Sequence, residues 1–533
     1  MFESTRRLAV FGSHATAPLD GIVSWLVQEL GAVAISASSR IVTFLDTFDW
    51  RCHDNDLALS CEAVAGSCSL ALTLTASATG TTVQTLETPR APRFARELPE
   101  SPLRQQLTPI LDVRALLPVL QVRYDTRQMA VRDHEAKTVL RIVAEEAWAA
   151  PPTHPGEEAR VGVTLSLLAL RGYPKAARKA AKAIQEKLGA VETADGFLAA
   201  AFGAIGRAPG GYSAKLDVAL APEMRADQAL NAIFSKLLDT MEQNEAGTIA
   251  DTDPEFLHDF RVAVRRSRSI FSQIKGVLPS AIAAKFSEEL RWLGEVTGPT
   301  RDLDVYLITM EDYIQRLPAQ VRSYLAPLIA FLREKQQAAH QNLATALKSE
   351  RYARFVQQWR AYLNTPVPQH VETPFGATAV AEIARNRIWR TFRRAVKEGI
   401  AISAQSPACQ LHELRITCKK LRYLLEFFQS LFPKDDMKAL VTTLKALQDN
   451  LGSFQDLEVQ RAKLVQLAEE MLALRGTPVR TFFAMGQLFA SFEQRQQADR
   501  EEFQSKFEAF IRAEQSELYR RNFGGAAVTA AEP

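Results

Sequence analysis

The feature that most constrains the fold of this 533-residue chain is an internal repeat in its C-terminal half. When the chain is shifted by 154 residues, the motif at 258–261 (HDFR) falls on 412–415 (HELR), and 298–305 falls on 452–459, without a gap. Of the 49 aligned positions from 257 to 305, 11 are identical, whereas about three are expected at average composition. An insertion between the motifs would have broken the register, so the repeat predicts two equivalent structural units.

The repeated region is predicted to be helical throughout. From about 226 to 515 it is rich in Ala, Leu, Glu, Lys, Arg and Gln, and apolar residues recur every three or four positions. A break at 364–376 carries three prolines and divides the region into units of about 226–363 and 379–515.

The rest of the chain divides by composition. Residues 1–205 are rich in Thr, Val and Ser and contain alternating stretches, which predicts an α+β domain with strands prominent. Residues 206–225 are rich in Gly and Pro and predict a linker, and residues 516–533 are expected to form a C-terminal tail.

Overall charge and cysteine usage exclude few classes of protein. The net charge of +3 does not separate a polyanion-binding protein from an average enzyme. Five cysteines without a CxxC pair argue against a disulfide framework. The beginning of the chain lacks the apolar run of a signal peptide, and no stretch is long enough to span a membrane, so we expect a cytoplasmic protein with no membrane partner.

The positive charge is concentrated on one helix face in each repeat. Positions 258, 261, 265 and 268 share a face, and an apolar stripe lies one residue behind them. Basic side chains placed there line a groove between helices, with packed stems and converging heads. A guanidinium group suits phosphate oxygens, so this face and a third basic run on a separate helix predict a polyanion site. The predicted binding residues are His258, Arg261, Arg265, Arg266, Arg268, Arg387, Arg390, Arg394, Lys397, His412, Arg415, Lys419, Lys420 and Arg422.

Two other interpretations of these residues stay open. The cations can form internal salt bridges with Asp302, Asp304, Asp456 or Glu458. The two histidines can be metal ligands together with the same acids, but the Glu-x-x-His motif of carboxylate-rich bundles is missing and neighbouring arginines repel a cation. We therefore predict no metal, no cofactor and no catalytic residue.

Capping residues predict the helix boundaries. Asp253 before Pro254, and Ser406 before Pro407, read as N-caps followed by proline at the first helical position. Gly298 and Gly452 are interpreted as helix ends.

The helical half resembles the CHAD family, the conserved-histidine α-helical domain. The matching segments are HDFRVAVRRSRSIF (258–271), LGEVTGPTRDLDV (293–305), LHELRITCKKLRYLLEFF (411–428) and LQDNLGSFQDLEV (447–459). The resemblance implies two pseudo-symmetric four-helix bundles with a basic channel or surface between them. It also implies binding of inorganic polyphosphate through the two repeated basic helices, and association with polyphosphate granules.

The N-terminal half looks like a degenerate CYTH domain, the triphosphate tunnel family, through segments 44–59 and 163–189. Active members form an antiparallel eight-stranded tunnel that holds divalent metals with paired glutamates. Here the first pair reads Glu3 and Thr5, and the late pair reads Val163 and Leu165. Metal-assisted phosphoryl hydrolysis needs those carboxylates, so the resemblance implies a non-catalytic β-tunnel-like domain.

The sequence therefore predicts a multi-domain protein that binds inorganic polyphosphate through its helical domain. One alternative is a metal-dependent triphosphatase or polyphosphatase acting through the N-terminal tunnel. Another is a generic polyanion or nucleic-acid binder, although aromatic residues interleave poorly with the basic ones for base stacking.

Overall fold

A computed structural model shows that the chain folds into two compact units, residues 1–213 and 214–533. The residues that the structure describes are 2–11, 18–77, 80–192, 196–367, 373–474 and 476–524. The boundary lies inside the segment 206–225, and the second part of that segment places Leu216 and Leu220 in the core of the helical unit.

The N-terminal unit is built on one antiparallel sheet, as the sequence predicts. Its described strands are β1 (Phe2–Phe11), β2 (Val33–Asp46), β3 (Leu57–Ala63), β4 (Leu70–Ala76), β5 (Thr81–Thr88), β6 (Leu117–Arg132), β7 (Thr138–Ala150), β8 (Ala159–Leu170) and β9 (Val191–Glu192). Their order across the sheet is β5-β4-β3-β2-β6-β7-β8-β1-β9. The described helices are α1 (Leu19–Leu30), α2 (Pro102–Leu111), α3 (Pro174–Leu188) and α4 (Gly196–Ala204).

Alternation along the strands gives this sheet an apolar face. On β8, Val163 and Leu165 are fully buried and pack in one core with Leu26 of α1 and Ile184 of α3. Successive side chains of a strand point to opposite faces, so this face of β8 is covered by helices.

The C-terminal unit is helical in its described residues. Its helices are α5 (Ala226–Ile249), α6 (Pro254–Gln273), α7 (Ser280–Gln315), α8 (Ala319–Arg322), α9 (Ala326–Leu347), α10 (Glu350–Asn364), α11 (Val380–Ile400), α12 (Ala408–Phe428), α13 (Lys434–Ala473), α14 (Val479–Ile511) and α15 (Ala513–Phe523).

The repeat predicted from the sequence is confirmed in the order and packing of these helices. Helices α5, α6 and α7 begin at residues 226, 254 and 280, and α11, α12 and α13 each begin 154 residues later. In the first unit α5 packs on α6, α6 on α7, α7 on α9, and α10 closes on α5. In the second, α11 packs on α12, α12 on α13, α13 on α14, and α15 closes on α11. Because only a short break separates α9 from α10 and α14 from α15, each of these pairs acts as one broken helix, and the units are two pseudo-symmetric four-helix bundles.

Backbone hydrogen bonds mark the local two-fold axis between the bundles. An isolated antiparallel bridge pairs Arg225 with Ala379, which are equivalent positions of the repeat. Ala226 N donates to Thr378 O at 2.8 Å, and Val380 N donates to Met224 O at 2.8 Å. Each bond is the symmetry mate of the other, and both use amide groups at a helix N-terminus, which lack partners within their own helix.

One of the two predicted helix starts is confirmed. The Asp253 side chain accepts from Glu255 N at 2.9 Å and from Phe256 N at 3.3 Å, and Pro254 is the first helical residue. The prediction for the second helix is wrong, because α12 starts at Ala408 with Pro407 at the N-cap. The Ser406 hydroxyl instead accepts from Ser403 N at 3.0 Å, inside the preceding turn.

The interpretation of Gly298 and Gly452 as helix ends is also wrong. Helix α7 continues through Gly298 and Pro299, and α13 continues through Gly452. In α7 buried residues lie on both sides of this point, Leu293 before it and Met310 after it, so packing along the helix outweighs the low helix propensity of glycine and proline.

The end of the helical unit extends beyond the predicted boundary at 515. Residues 516–523 belong to α15, because Tyr519 and Phe523 are buried in the core and the Tyr519 ring stacks on Phe392 at 3.9 Å. Among the described residues, no helix is both long enough and apolar enough to cross a membrane.

Candidate polyanion-binding site

The two basic helices of the repeat, α6 and α12, contact each other beside the local two-fold axis. The apolar stripe behind the basic face is buried as predicted, with Phe260 and Val264 in α6 and Leu414 and Cys418 in α12. We call Arg261, Arg265, Arg268, Arg415 and Lys419 the shared basic site.

Arg261 is held against α7 by neutral acceptors. Its Nη1 donates to Gly294 O at 3.1 Å and to Thr297 Oγ1 at 2.8 Å. Burial is the main cause that lowers the pKa of Arg261 to about 10, and the positive charge of Arg265 is the next largest cause. The negative charge of Asp302 raises the pKa of Arg261 but does not cancel the lowering. The fold thus keeps a guanidinium group partly out of water among other cations.

A glycine in α7 makes the close packing of these arginines possible. A methyl group on Gly294 would lie 2.6 Å from Nη1 of Arg268, which is closer than side-chain atoms approach. Sequence reasoning did not identify Gly294, because its equivalent in the second repeat is Gln448 and the position therefore carries no repeat signal.

Lys419 connects the two repeats electrostatically. Burial, with the charges of Arg415 on the same helix and of Arg265 on the other repeat, lowers its pKa to about 8. Since Arg265 lies on α6 and Lys419 on α12, the two basic faces act on each other and form one region of positive potential.

Two equivalent acids lie beside these cations. Asp302 of α7 and Asp456 of α13 both have raised pKa values, chiefly because they are buried. Arg415 Nη2 donates to Asp456 Oδ1 at 3.2 Å, so one of the internal salt bridges considered from the sequence is present. The carboxylates reduce the positive charge of the site only in part, because two acids lie beside five cations.

Two predicted binding residues have an internal partner that the sequence did not reveal. Glu426 Oε2 accepts from Arg266 Nη2 at 2.7 Å, and its Oε1 accepts from Arg422 Nε at 2.7 Å. Arg266 also donates to Ala214 O at 3.2 Å. Its guanidinium and the Glu426 carboxylate are about one-seventh exposed, so this ion pair joins α6 to α12. The equivalent of Glu426 in the first repeat is Ser272, which explains why the repeat did not point to it.

The histidines occupy equivalent positions near the N-terminal ends of α6 and α12. His258 Nδ1 lies 2.8 Å from Arg301 Nη2, and His412 Nδ1 lies 2.8 Å from Gln455 Oε1. Arg301 and Gln455 are themselves equivalent positions. In the described part of the chain, no group of three or more His, Cys, Asp and Glu residues is arranged to hold a metal ion.

The third basic run lies on α11, which packs against α12 and α15. Arg390, Arg394 and Lys397 are exposed, and Arg394 Nε donates to Glu398 Oε1 at 2.6 Å. Phe392 anchors the opposite face in the core. The run is absent from the equivalent helix α5, so it is an addition to the second repeat rather than part of the repeated face.

Comparisons with known proteins agree with this description of the helical unit. The family model of the CHAD domain matches residues 232–465. An uncharacterized protein of Mycobacterium tuberculosis is 25% identical over 279 residues, and the match covers 49% of this chain and 52% of that protein. The chain thus spans about half the length of this curated relative.

Solved structures similar to each unit are known. The crystal structure of the CHAD domain from the plant Ricinus communis is 29% identical, with a TM-score of 0.47 over 56% of this chain and 96% of that chain. The N-terminal region is similar to a putative adenylate cyclase from Bacillus halodurans, with 10% identity and a TM-score of 0.24 over 36% of this chain and 92% of that one.

Proposed function

Because residues 232–465 form a CHAD domain, we propose that this protein binds inorganic polyphosphate at the shared basic site and thereby associates with polyphosphate granules. The resemblance of the two repeated motifs to that family implies this ligand. The contact residues in the proposal are His258, Arg261, Arg265, Arg268, His412, Arg415, Lys419 and Lys420, with the basic run of α11 (Arg387, Arg390, Arg394 and Lys397) as an extension.

The observation that carries the proposal is the coupling of Lys419 to Arg265. Burial lowers the pKa of Lys419 to about 8, and the positive charges of Arg415 on the same helix and of Arg265 on the other repeat contribute to this shift. Holding like charges together in a partly buried site costs folding free energy through repulsion. A bound polyanion that contacts both helices offsets this cost, and a linear chain of phosphates supplies charge to both repeats at once.

A phosphate polymer fits this site better than a nucleic acid does. Sequence-tolerant binding of single strands relies on aromatic side chains on which bases stack. The aromatic side chain nearest in sequence to the repeated basic face of α6, Phe260, is fully buried in the core. Phe260 therefore cannot stack on a base, and the basic face beside it favours the phosphate groups themselves.

A titration tests the proposal. The full chain is titrated with long-chain polyphosphate at two salt concentrations, beside single-stranded RNA of equal charge. The test variant replaces Arg261, Arg265, Arg415 and Lys419 by Ala. A control variant of equal charge replaces exposed cations outside the site, namely Arg291, Lys348, Lys438 and Lys445.

We expect tight polyphosphate binding that RNA does not match, that the test variant loses and that the control variant keeps. Affinity should fall by roughly 0.7 log units per phosphate contact for each log unit of salt, if polyphosphate behaves as a single strand. Equal affinity for RNA would reduce the proposal to general polyanion binding. Binding that the test variant retains would move the site elsewhere.

For the N-terminal unit we propose a non-catalytic role. The positions that correspond to the late glutamate pair of the triphosphate tunnel family, Val163 and Leu165, lie in an apolar core against α1 and α3. The Glu3 side chain lies outside what the structure describes. Release of phosphate from triphosphate or polyphosphate with Mg²⁺ or Mn²⁺, abolished by Glu3→Ala, would instead establish a metal-dependent phosphatase.

A further inference from the structure

Helix α14 has apolar side chains on its exposed side as well as on its buried side. The buried side packs in a core through Ala484, Leu488 and Phe492. Val479 and Phe483 on the other side keep 69% and 74% of their surface exposed to solvent. A helix that is apolar on more than one face is normally buried. Within the part of the chain that the structure describes, α14 is covered on one side only.

The exposed apolar residues of α14 form one stripe, which consists of Val479, Phe483, Gly486 and Ala490. These positions follow one another at spacings of four, three and four residues, so they lie on one face of the helix. All of them are exposed, and none is charged. The only charged residue in the sequence from 479 to 492 is Arg480, whose guanidinium lies over the Tyr324 ring at 5.2 Å.

The equivalent helix of the first repeat is polar on its exposed side. Helix α9 packs on α7 as α14 packs on α13. It presents Arg333, Glu334 and Gln337 to solvent, which is the surface expected of a helix at the edge of a bundle. The apolar stripe of α14 is therefore a feature of the second repeat and not a requirement of the fold.

The order of large and small residues makes the stripe complementary to itself. Two antiparallel copies of α14 can be related by a two-fold axis that passes between positions 484 and 485. Phe483 of each copy then faces Gly486 of the other, and Val479 faces Ala490, so that a large side chain meets a small one in every pair. No atom lies within 4 Å of the place that a methyl group on Gly486 would take, which leaves room for a ring.

We propose that α14 is a dimerisation helix, and that its exposed stripe packs antiparallel on the same stripe of a second copy of this chain. Phe483 is the anchor, and it fills the space beside Gly486 of the second copy. Because the stripe is uncharged, the pairing brings no like charges into contact. Leu472 and Leu474 are also exposed where α13 ends, a few residues before α14 begins, and they enlarge the apolar surface.

The size of the stripe determines the expected strength of the dimer. A contact along three turns of one helix is smaller than the roughly 800 Å² per partner of a standard protein interface. We therefore expect a reversible dimer with a dissociation constant on the order of 10 µM.

Sedimentation velocity of the full chain, at a series of concentrations around that value, measures the equilibrium without any ligand. Phe483→Ala removes the anchor and should weaken dimerisation by roughly thirtyfold, as truncation of a central aromatic residue does. The control is Ile400→Ala, because Ile400 is an exposed apolar residue on a different helix, α11. This control should leave the equilibrium unchanged.

Gly486→Leu tests the register of the two helices. The monomer has room for the larger side chain, and leucine favours a helix more than glycine does. In the dimer the new side chain would collide with Phe483 of the second copy, so we expect the dimer to be lost. The double variant Phe483→Ala, Gly486→Leu exchanges the large and the small residue and should dimerise again. Thermal denaturation of each variant checks that the helical unit stays folded.

Recovery of the dimer in the double variant would support the antiparallel register, because an unrelated contact has no reason to be restored by the exchange. A chain that stays monomeric at the highest concentration would overturn the proposal. A dimer that survives Gly486→Leu would overturn it too, as would a double variant that dimerises no better than the two single variants. Because no ligand is present, these outcomes do not depend on the proposed function.

Discussion

Lys419 is a candidate ligand contact whose charge depends on burial and on neighbouring cations. Its pKa is lowered to about 8 because it is partly buried beside Arg415 and Arg265. It is protonated below that pH and loses its charge as the pH rises through it. We expect polyphosphate affinity to fall by about tenfold between pH 7 and pH 9.5, because the loss of one charge-assisted hydrogen bond weakens binding by about that factor.

Lys419→Arg tests this assignment, because a guanidinium group keeps its charge over that range. The variant should bind as tightly at pH 9.5 as at pH 7. Lys420→Arg is the control at the adjacent position and should leave the pH profile of the unaltered chain. If Lys419→Arg loses affinity at high pH as the unaltered chain does, another group is responsible for the loss.

Lys419 adds positive charge to the shared basic site, whereas Glu426 neutralises positive charge. It accepts from Arg266 and Arg422, and the contact with Arg266 is largely buried. Glu426→Gln leaves two arginines without a charged partner, and we expect the free energy of unfolding to fall by about 1–3 kcal/mol. Urea denaturation measures this change.

The control for Glu426 is Glu517, which pairs with Arg520 on the surface of α15. Glu517→Gln should leave the free energy of unfolding nearly unchanged, because exposed ion pairs contribute little. Equal losses for the two variants would show that the contact between α6 and α12 does not depend on Glu426.

At the scale of single elements, the basic helices were predictable and their surroundings were not. Helical periodicity and the repeat gave the buried stripe with Phe260 and the basic face with Arg261. The continuity of α7 through Gly298 could not be predicted, since local propensity favours a break and only packing on both sides preserves the helix. Glu426 and Gly294 were missed because neither position is repeated.

Gly294 and Gly452 form a matched pair of glycines inside long helices. A methyl group on Gly294 meets Nη1 of Arg268 at 2.6 Å, whereas one on Gly452 meets nothing within 4 Å. Alanine is favoured over glycine within a helix by up to about 1 kcal/mol. Gly452→Ala should therefore raise the free energy of unfolding by about that amount and leave binding unchanged.

Gly294→Ala should instead displace the end of the Arg268 side chain. Since that end is flexible, we expect little loss of stability and a weakening of polyphosphate binding by about three- to tenfold, the value of one arginine–phosphate contact. Thermal denaturation and a polyphosphate titration measure the two effects. Unchanged binding would mean that Arg268 does not contact the ligand from its present position.

For the whole helical unit, the repeat was sufficient to predict two equivalent bundles but not how they meet. The reciprocal hydrogen bonds that join Ala226 to Thr378 and Val380 to Met224 use backbone atoms, which leave no side-chain pattern in the sequence. This junction is part of the arrangement in which α6 contacts α12, and that contact turns two basic helices into one region of positive potential.

The coupling of the repeats through Arg265 can be measured at Lys419. Removing a neighbouring cation favours the protonated form of the lysine, so Arg265→Ala should raise the pKa of Lys419 from about 8. The pH at which polyphosphate affinity falls should then move upward, even though the affinity itself is lower. Arg291→Ala removes one exposed cation outside the site and should leave this midpoint in place. If Arg265→Ala does not move this midpoint, α6 and α12 bind phosphate as two separate faces. A polymer would then gain affinity from the repeat only by occupying the two faces in turn.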